Sequence, residues 1–260
     1  MVVCQLLSDI HLEFYDGRPG KSMSKIIDDI IEKSKGNSAK YLFLAGDIAN
    51  NVKSLENFLT RCINEGEWEK IFYIPGNHEY YGKDKNLPIA TLKYKYINIE
   101  NVHCLHHNII ELPEMFVTGA TLWTVPSAYM YDRMNDKKIR YNLCRLKRNQ
   151  IVAMHNDDIA YINNTLNKHK ENNSGKKIIC MTHHAPSFSL TNDDIHSRDD
   201  NTGHYSNCDF LIEKSNYWLY GHTHTKKDVV LHGCRMINNP FGYPNEIVDK
   251  VVNFTFTIDN

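Results

Sequence analysis

The chain lacks the features that mark several large classes of protein. Its 260 residues contain seven cysteines, an odd number without a Cys-x-x-Cys pair, which argues against a disulfide framework and a thiolate zinc site. No apolar run approaches the ~18 residues of a membrane span, and no charged region precedes the apolar run that begins at Val2. We therefore expect a cytoplasmic protein in a reducing compartment, without a membrane partner.

An excess of charge is also missing. Lys and Arg total 30 against 31 for Asp and Glu, so no global field draws the chain to nucleic acid. Affinity for phosphate must then come from local groups. Residues 132–148 are locally basic, and they predict either a solvated helix face, which we favour, or a patch that contacts phosphate or nucleic acid. The basic side chains are Arg133, Lys137, Lys138, Arg140, Arg145, Lys147 and Arg148.

The order of short apolar runs and helical patterns predicts an α/β fold. Residues 2–7, 41–45 and 71–74 are too short for helices, and segments with helical spacing, 23–31 and 55–63, lie between them. This alternation is typical of parallel strands joined by helical crossovers. The length allows one domain or two, and we expect a single domain over residues 1–260.

The second half of the chain predicts another sheet that packs on the first. Short strands are expected at 102–105, 109–112 and 116–121, at 177–181 and 217–220, and at 229–237 and 251–258. A long helical region should carry an apolar stripe that includes Ile151, Ile162 and Leu166. The polar segment 187–207 predicts a loop over the site that acts as a lid or determines specificity.

Polar motifs follow five of these predicted strands. Ligands at the carboxyl ends of parallel strands meet in one crevice, so residues far apart in the sequence are expected to converge there. Glycine before Asp47, Asn77 and His222 permits sharp turns and close approach. In extended chain, residues two apart point to the same side, so Asp9 and His11 can face one ion. The motifs are Asp9-Ile10-His11, Gly46-Asp47, Gly76-Asn77-His78-Glu79, Thr182-His183-His184 and Gly221-His222-Thr223-His224.

In this order the motifs resemble those of the calcineurin-like metallophosphoesterase superfamily, whose pattern is DxH, GD, GNH[DE], H and GHxH. The resemblance spans residues 9–224 and implies a four-layer α/β/β/α sandwich of two mixed sheets flanked by helices. The segments Thr182-His183-His184-Ala185-Pro186-Ser187 and Asn239-Pro240-Phe241-Gly242-Tyr243 are similar to those of one compact branch. That branch usually has Arg where this chain has Phe241.

The resemblance implies a centre of two divalent metal ions. It assigns Asp9, His11 and His224 to one ion, assigns Asn77, His183 and His222 to the other, and makes Asp47 the bridge. Imidazole, amide and carboxylate donors suit Mn, Fe or Zn. The expected reaction is hydrolysis of a phosphate ester by metal-activated hydroxide.

His78, which is not a ligand in the family pattern, is expected to protonate the leaving oxygen as a general acid. A hydrogen bond that only positions a ligand is the alternative role for this side chain. Asn50, three residues after Asp47, is predicted to orient its ring.

Charge and missing arginines predict the substrate class. Two divalent ions outweigh the two carboxylates, so the site should attract an anion. Ser/Thr protein phosphatases have arginines where this chain has Asn51 and Pro75, which favours a phosphodiester over a phosphomonoester. We expect a phosphate-ester small molecule or a nucleotide, with nucleic acid less favoured. The alternatives are a nuclease and a non-catalytic protein-binding scaffold on the same fold.

Overall fold

The computed structural model describes residues 1–15, 22–81, 97–142, 144–172, 175–191, 201–246 and 251–259. The helices are α1 (Met23–Ser34), α2 (Val52–Glu65), α3 (Ala128–Arg133), α4 (Arg148–Asn172) and α5 (Asp209–Ile212). The strands are β1 (Val2–Leu7), β2 (Tyr41–Leu44), β3 (Lys70–Tyr73), β4 (Val102–Cys104), β5 (Asn108–Glu111), β6 (Met115–Ala120), β7 (Arg140–Tyr141), β8 (Cys144–Arg145), β9 (Lys177–Thr182), β10 (Tyr217–Tyr220), β11 (Lys227–Leu231), β12 (Cys234–Asn238) and β13 (Thr255–Ile258).

The first sheet has the strand order β13-β1-β2-β3-β4. Strands β1 to β4 are parallel and β13 is antiparallel to β1. Helices α1 and α2 lie between β1, β2 and β3 in the chain, as the helical spacing predicts. The Ser22 and Asn51 side chains cap these helices by accepting hydrogen bonds from backbone N–H groups in their first turns. The predicted alternation of strand and helix is therefore confirmed.

The second sheet has the order β11-β12-β10-β9-β6-β5, with parallel strands in its centre and antiparallel strands at both edges. The single strand predicted at 229–237 is wrong, because the structure has the hairpin β11–β12 there. His232 and Gly233 take positive φ angles of 50° and 79°, and this pair of left-handed residues reverses the chain. The long helix α4 is confirmed.

Alternating strand residues build the four layers. Leu42 and Leu44 pack with the apolar faces of α1 and α2, whereas Phe43 between them packs into the core shared by the two sheets. On the second sheet, Cys180 faces a cluster that includes Ile162 of α4. The α/β/β/α sandwich of two mixed sheets is confirmed by this arrangement.

Composition predicted free thiols and no membrane span. All seven cysteines are free, and Cys144 is the exposed one. Burial raises the pKa of Cys180 well above its usual value, so this thiol packs as an apolar side chain. Within the described ranges, the helices are too short or too polar to cross a bilayer.

Candidate metal centre

The motif segments meet where the strands of both sheets end. The backbone N–H of Asp9 donates to Gly46 O at 3.0 Å, and that of His11 donates to Asp47 O at 2.9 Å, which joins the turns after β1 and β2. Within the second sheet, Gly221 N donates to His183 O at 2.9 Å, which joins the turns after β9 and β10. Backbone contacts therefore hold the segments together before any side chain is considered.

Asp9, His11 and His224 form one group, which we call group one. Nε2 of His11 lies 3.1 Å from Nε2 of His224, and His224 Nε2 lies 3.5 Å from Asp9 Oδ1. One potential donor atom from each side chain lies within 4.8 Å of the others. Asp9 and His11 are fully buried.

Asn77, His183 and His222 form group two. His183 Nε2 lies 3.1 Å from Asn77 Oδ1 and 3.2 Å from His222 Nδ1. Asp47 lies between the groups, because its Oδ2 is 3.4 Å from His183 Nε2 and 3.9 Å from His11 Nε2. The structure therefore brings every predicted ligand into one cluster, with Asp47 in contact with both groups.

The ligand-bearing turns have an unusual backbone. Positive φ angles between 49° and 66° occur at Asp9, His11, Asp47, His222 and His224. Non-glycine residues seldom adopt this left-handed conformation, and it concentrates at functional sites. The expected extended alternation of Asp9 and His11 is therefore wrong. The side chains converge because the chain coils sharply after each strand.

Glycines allow the turns to approach one another. A Cβ atom on Gly46 would lie 2.4 Å from His183 Nδ1, and one on Gly76 would lie 2.2 Å from Asp47 Oδ1. Any side chain at either position would displace a predicted ligand. Glycine is therefore required before Asp47 and Asn77, as predicted, because there is no room for a Cβ atom at either position.

Glu79 anchors the turn that follows β2. Its buried carboxylate accepts hydrogen bonds from the backbone N–H groups of Asp47 at 3.0 Å, Ile48 at 2.7 Å and Gly76 at 2.6 Å. Asp47 Oδ1 in turn accepts from His78 N at 2.8 Å. These bonds fix the position of the Asp47 carboxylate independently of any ion.

The buried carboxylates attract positive charge to the cluster. Burial disfavours the charged form of His183, but the Asp47 and Asp9 carboxylates outweigh burial and raise the pKa of His183 to about 9. For His224, burial is likewise outweighed by Asp9 and Glu246, and the pKa rises to about 9. Burial among other imidazoles lowers the pKa of His222 well below its usual value.

The donor set fits divalent cations. His183 Nδ1 donates to Ala45 O at 2.8 Å and His224 Nδ1 donates to Glu246 at 2.6 Å, so in the neutral form that binds a metal their Nε2 atoms would turn lone pairs inward. These lone pairs face the oxygens of Asn77 and Asp9. Acceptors this close repel one another unless a proton or a metal cation lies between them, and the raised pKa values of both imidazoles show how strongly the site favours positive charge there. Asp9 and Asp47 are buried at 0% and 2% exposure, so their charges need such a partner. Two divalent ions would satisfy both groups.

His78 does not have the predicted partner. Its Nδ1 lies 2.9 Å from Glu13 Oε1 and its Nε2 lies 3.3 Å from the Tyr243 hydroxyl, whereas Asn50 accepts a 3.4 Å hydrogen bond from Asn51. The assignment of Asn50 as the orienting residue is corrected accordingly. The turn after His11 coils back and brings Glu13 to the ring, and no motif spacing predicts that contact.

Other contributors lie outside the five motifs. Glu246 follows the Asn239–Tyr243 segment and bonds His224, Asp136 bonds Asn77, and the ring of His204 lies 4.9 Å from that of His222. None of the three belongs to a motif, and their roles are not predictable from strand periodicity. Only Glu246 had a signal in the sequence: it lies three residues after Tyr243, at the end of a segment that resembles one branch of the family.

A cavity of about 450 Å³ opens on the centre. One wall contains Met130, Arg133 and Met134, and Arg133 stacks over the Tyr129 ring with its guanidinium carbon 3.4 Å from the centroid. The segment 132–148 comprises the end of α3, the 3-10 helix Asn135–Lys138 and the hairpin β7–β8, so the prediction of a single solvated helix face is wrong. From the predicted loop 187–207, residues 191, 201 and 203–205 line the cavity, and residues 192–200 lie outside the described part.

A four-layer sandwich with carboxylates and imidazoles gathered at its strand ends is typical of the metallophosphoesterases. The family model for calcineurin-like phosphoesterases matches residues 6–226. This chain therefore belongs to the calcineurin-like phosphoesterase family. An uncharacterized protein of Acanthamoeba polyphaga mimivirus is 32% identical over 269 residues, which cover 95% of this chain and 93% of that protein.

Solved structures share the fold at low sequence identity. A phosphopantetheinyl hydrolase from Mycobacterium tuberculosis aligns over 93% of this chain and 90% of its own, with a TM-score of 0.67 and 15% identity. A dimetal phosphatase from Danio rerio aligns over 91% of this chain and 86% of its own, with a TM-score of 0.53 and 10% identity. At these identities the two structures show that the fold is shared.

Proposed function

We propose that this protein is a dinuclear metal-dependent phosphoesterase that hydrolyses a phosphate ester, with a preference for phosphodiesters. The observation that carries the proposal is the contact of Asp47 with both ligand groups. Asp47 Oδ2 lies 3.4 Å from His183 and 3.9 Å from His11, which belong to different groups. A carboxylate between two clusters of lone pairs is suited to bridge two cations.

Group one would hold one divalent ion and group two the other. When bound, such ions supply positive charge for the phosphoryl oxygens and lower the pKa of the attacking water. The protein's part is to keep both groups in place. It does so through the Glu79 hydrogen bonds to the backbone beside Asp47 and through the outer bonds of His183 and His224. Mn, Fe and Zn all suit these donors.

His78 would donate the proton that the leaving oxygen requires. Burial disfavours its charged form, but the Asp47 and Glu13 carboxylates outweigh burial and raise the pKa of His78 above its ordinary value. With cations bound at Asp47, the Glu13 carboxylate 2.9 Å from Nδ1 would remain to favour the protonated ring that a general acid requires. Glu13 at Nδ1 keeps Nε2 facing the cavity, where the leaving group of a bound ester would lie.

The cavity supports a small phosphodiester as substrate. At about 450 Å³ it exceeds the size of a phosphate group and can enclose an organic substituent. Among its described lining residues, Arg133 is the sole lysine or arginine. A monoanionic diester needs less cationic support than a dianionic monoester. We therefore propose a cytoplasmic small molecule or nucleotide as substrate, in preference to nucleic acid.

The test compares two aryl phosphates on the purified full chain loaded with Mn²⁺. We expect faster hydrolysis of a bis-aryl phosphate than of a mono-aryl phosphate. Asp47→Asn should lower kcat/KM for the diester by about 10³-fold, since it removes several kcal/mol of support for both ions. Lys33→Asn, at an exposed position of α1, serves as a control and should be neutral. Equal rates for Asp47→Asn and wild type would refute the bridging role.

A further inference from the structure

Asp136 extends from the segment before α4 into the candidate metal centre. It belongs to the 3-10 turn Asn135–Lys138, and it is only 2% exposed whereas Asn135 and Lys138 face solvent. Its Oδ1 accepts a 2.8 Å hydrogen bond from Nδ2 of Asn77. The turn therefore directs one carboxyl group inward, at the desolvation cost that burial of such a group entails.

Tyr81 closes a triangle with these two side chains. Its hydroxyl donates to Asp136 Oδ1 and accepts a 2.8 Å hydrogen bond from Asn77 Nδ2. Both hydrogens of the Asn77 amide group are thereby used. If the amide turned over, its oxygen would face Asp136 Oδ1 and both donors would be lost.

The orientation of this amide decides what Asn77 offers to group two. With Nδ2 held by Asp136 and Tyr81, the Asn77 oxygen lies 3.1 Å from His183 Nε2, on the side of the other ligands. Only the oxygen of an amide has a lone pair suited to a hard divalent cation. A free Asn side chain would present oxygen or nitrogen, so a fixed amide should bind the ion more tightly.

We propose that Asp136, together with Tyr81, is a positioning residue that locks the Asn77 oxygen toward group two and so sets the affinity of this group for its cation. The inference rests on the proposed function, in which Asn77 is a ligand. It also assigns a role to the segment 132–148. Besides its basic surface, this segment supports the metal centre from outside the five motifs.

The test titrates the metal-free full chain with Mn²⁺ by calorimetry. Asp136→Ala should weaken one of two bound ions about 10- to 100-fold, as loss of an outer partner of a ligand does, and should leave the other unchanged. Asp136→Asn keeps an acceptor oxygen and should stay within about threefold of wild type. Asp132→Ala, an exposed acid in the same segment, is the matched control and should change neither ion.

A double variant separates positioning from direct coordination. If Asp136 acts through Asn77, then Asp136→Ala should cause no further loss of affinity in an Asn77→Ala background. An additional loss there would show that Asp136 contacts the ion itself and would overturn the inference. The inference would also be overturned if Asp136→Ala bound both ions with the affinity of the wild type. In that case the proposed function would still stand, provided that the wild type binds two ions.

Thermal melting of the metal-free variants shows whether they fold. If Asp136→Ala does not, Tyr81→Phe decides the question, because it removes one hydroxyl and retains the ring. We expect it to weaken the same ion about threefold, which corresponds to one hydrogen bond. Unchanged affinity would contradict the positioning role. A wild-type chain that binds no ion would instead refute the proposed function, and the inference with it.

Discussion

The two ligand groups are supported in different ways. In group one, His224 donates its outer N–H to the Glu246 carboxylate at 2.6 Å, and Asp9 contributes a carboxylate of its own. In group two, His183 donates its outer N–H to a neutral backbone carbonyl, that of Ala45, at 2.8 Å. The oxygen that group two would offer to a cation, besides that of the shared Asp47, is the neutral amide oxygen of Asn77.

This difference predicts unequal affinities for the two cations. A carboxylate behind an imidazole increases its basicity, and an anionic ligand attracts a cation more strongly than an amide does. We therefore expect group one to fill first in a metal titration and group two to fill second. Group two depends instead on how its neutral ligands are oriented, for which the Asp136 and Tyr81 hydrogen bonds provide the means.

Glu246→Gln tests the comparison most directly. Gln can still accept hydrogen bonds from His224 Nδ1 and from Tyr243 N, but it has no negative charge. We expect the tighter of the two Mn²⁺ ions to bind about 10- to 100-fold more weakly, so that the two affinities approach each other. Calorimetric titration of the metal-free chain measures both.

The matched control for this variant is Glu111→Gln, an exposed glutamate that pairs with Lys176 far from the centre. It should leave both affinities unchanged, because surface ion pairs contribute little and do not reach the site. If Glu246→Gln weakened the second ion instead, the assignment of the tighter site to group one would be wrong.

The convergence of the motifs could be predicted, because strand periodicity and topology place them at the carboxyl ends of parallel strands. Asp9, Asp47 and His183 each follow a short buried strand, and parallel strands end together. Glu13, Asp136 and Glu246 could not be found in this way. Each approaches a ligand through an irregular turn, and no apolar pattern indicates the direction of such a turn.

The hairpin β11–β12 and the backbone of the ligand turns illustrate the same limit. Val229–Ile237 has the composition of one strand, and the reversal depends on two positive φ angles, at His232 and Gly233. Gly233 could suggest a turn, but His-Gly is not one of the pairs, such as Asn-Gly or Asp-Gly, that indicate a two-residue hairpin turn. The left-handed conformation of Asp9 and His11 is likewise not predictable from the local sequence. Contacts with residues distant in the chain, Gly46 and Asp47, hold this strained backbone in place.

Glu13→Gln addresses the proton donor, although the Glu13 carboxylate also lies 3.4 Å from Nδ1 of His11 in group one. Loss of this carboxylate removes one of the groups that raise the pKa of His78, so that pKa should fall. A general acid works only when protonated, and the rate is lost as pH rises through its pKa. The alkaline limb of the kcat/KM profile should therefore move to lower pH. We also expect kcat for a poor leaving group to drop about tenfold.

Two further variants calibrate this result. His78→Gln should slow esters with poor leaving groups much more than activated aryl esters, and it should abolish the alkaline limb that the acid produces. Asn50→Ala should leave the profile of the wild type, because Asn50 contacts Asn51 and not the His78 ring. A shifted limb in Asn50→Ala with an unshifted one in Glu13→Gln would restore the original assignment.

Tyr243→Phe should have the smallest effect, because Tyr243 contacts one predicted ligand, His11, and the predicted acid, His78, without having either role itself. The Tyr243 ring stacks on His11 with centroids 4.4 Å apart, and Phe preserves this contact. The hydroxyl that is lost lies 3.3 Å from His78 Nε2, a long hydrogen bond, so kcat should change by about two- to threefold. Both metal affinities should stay unchanged. A loss beyond about tenfold would mean that the hydroxyl takes part in proton transfer, and His78 could then no longer be treated as the sole donor.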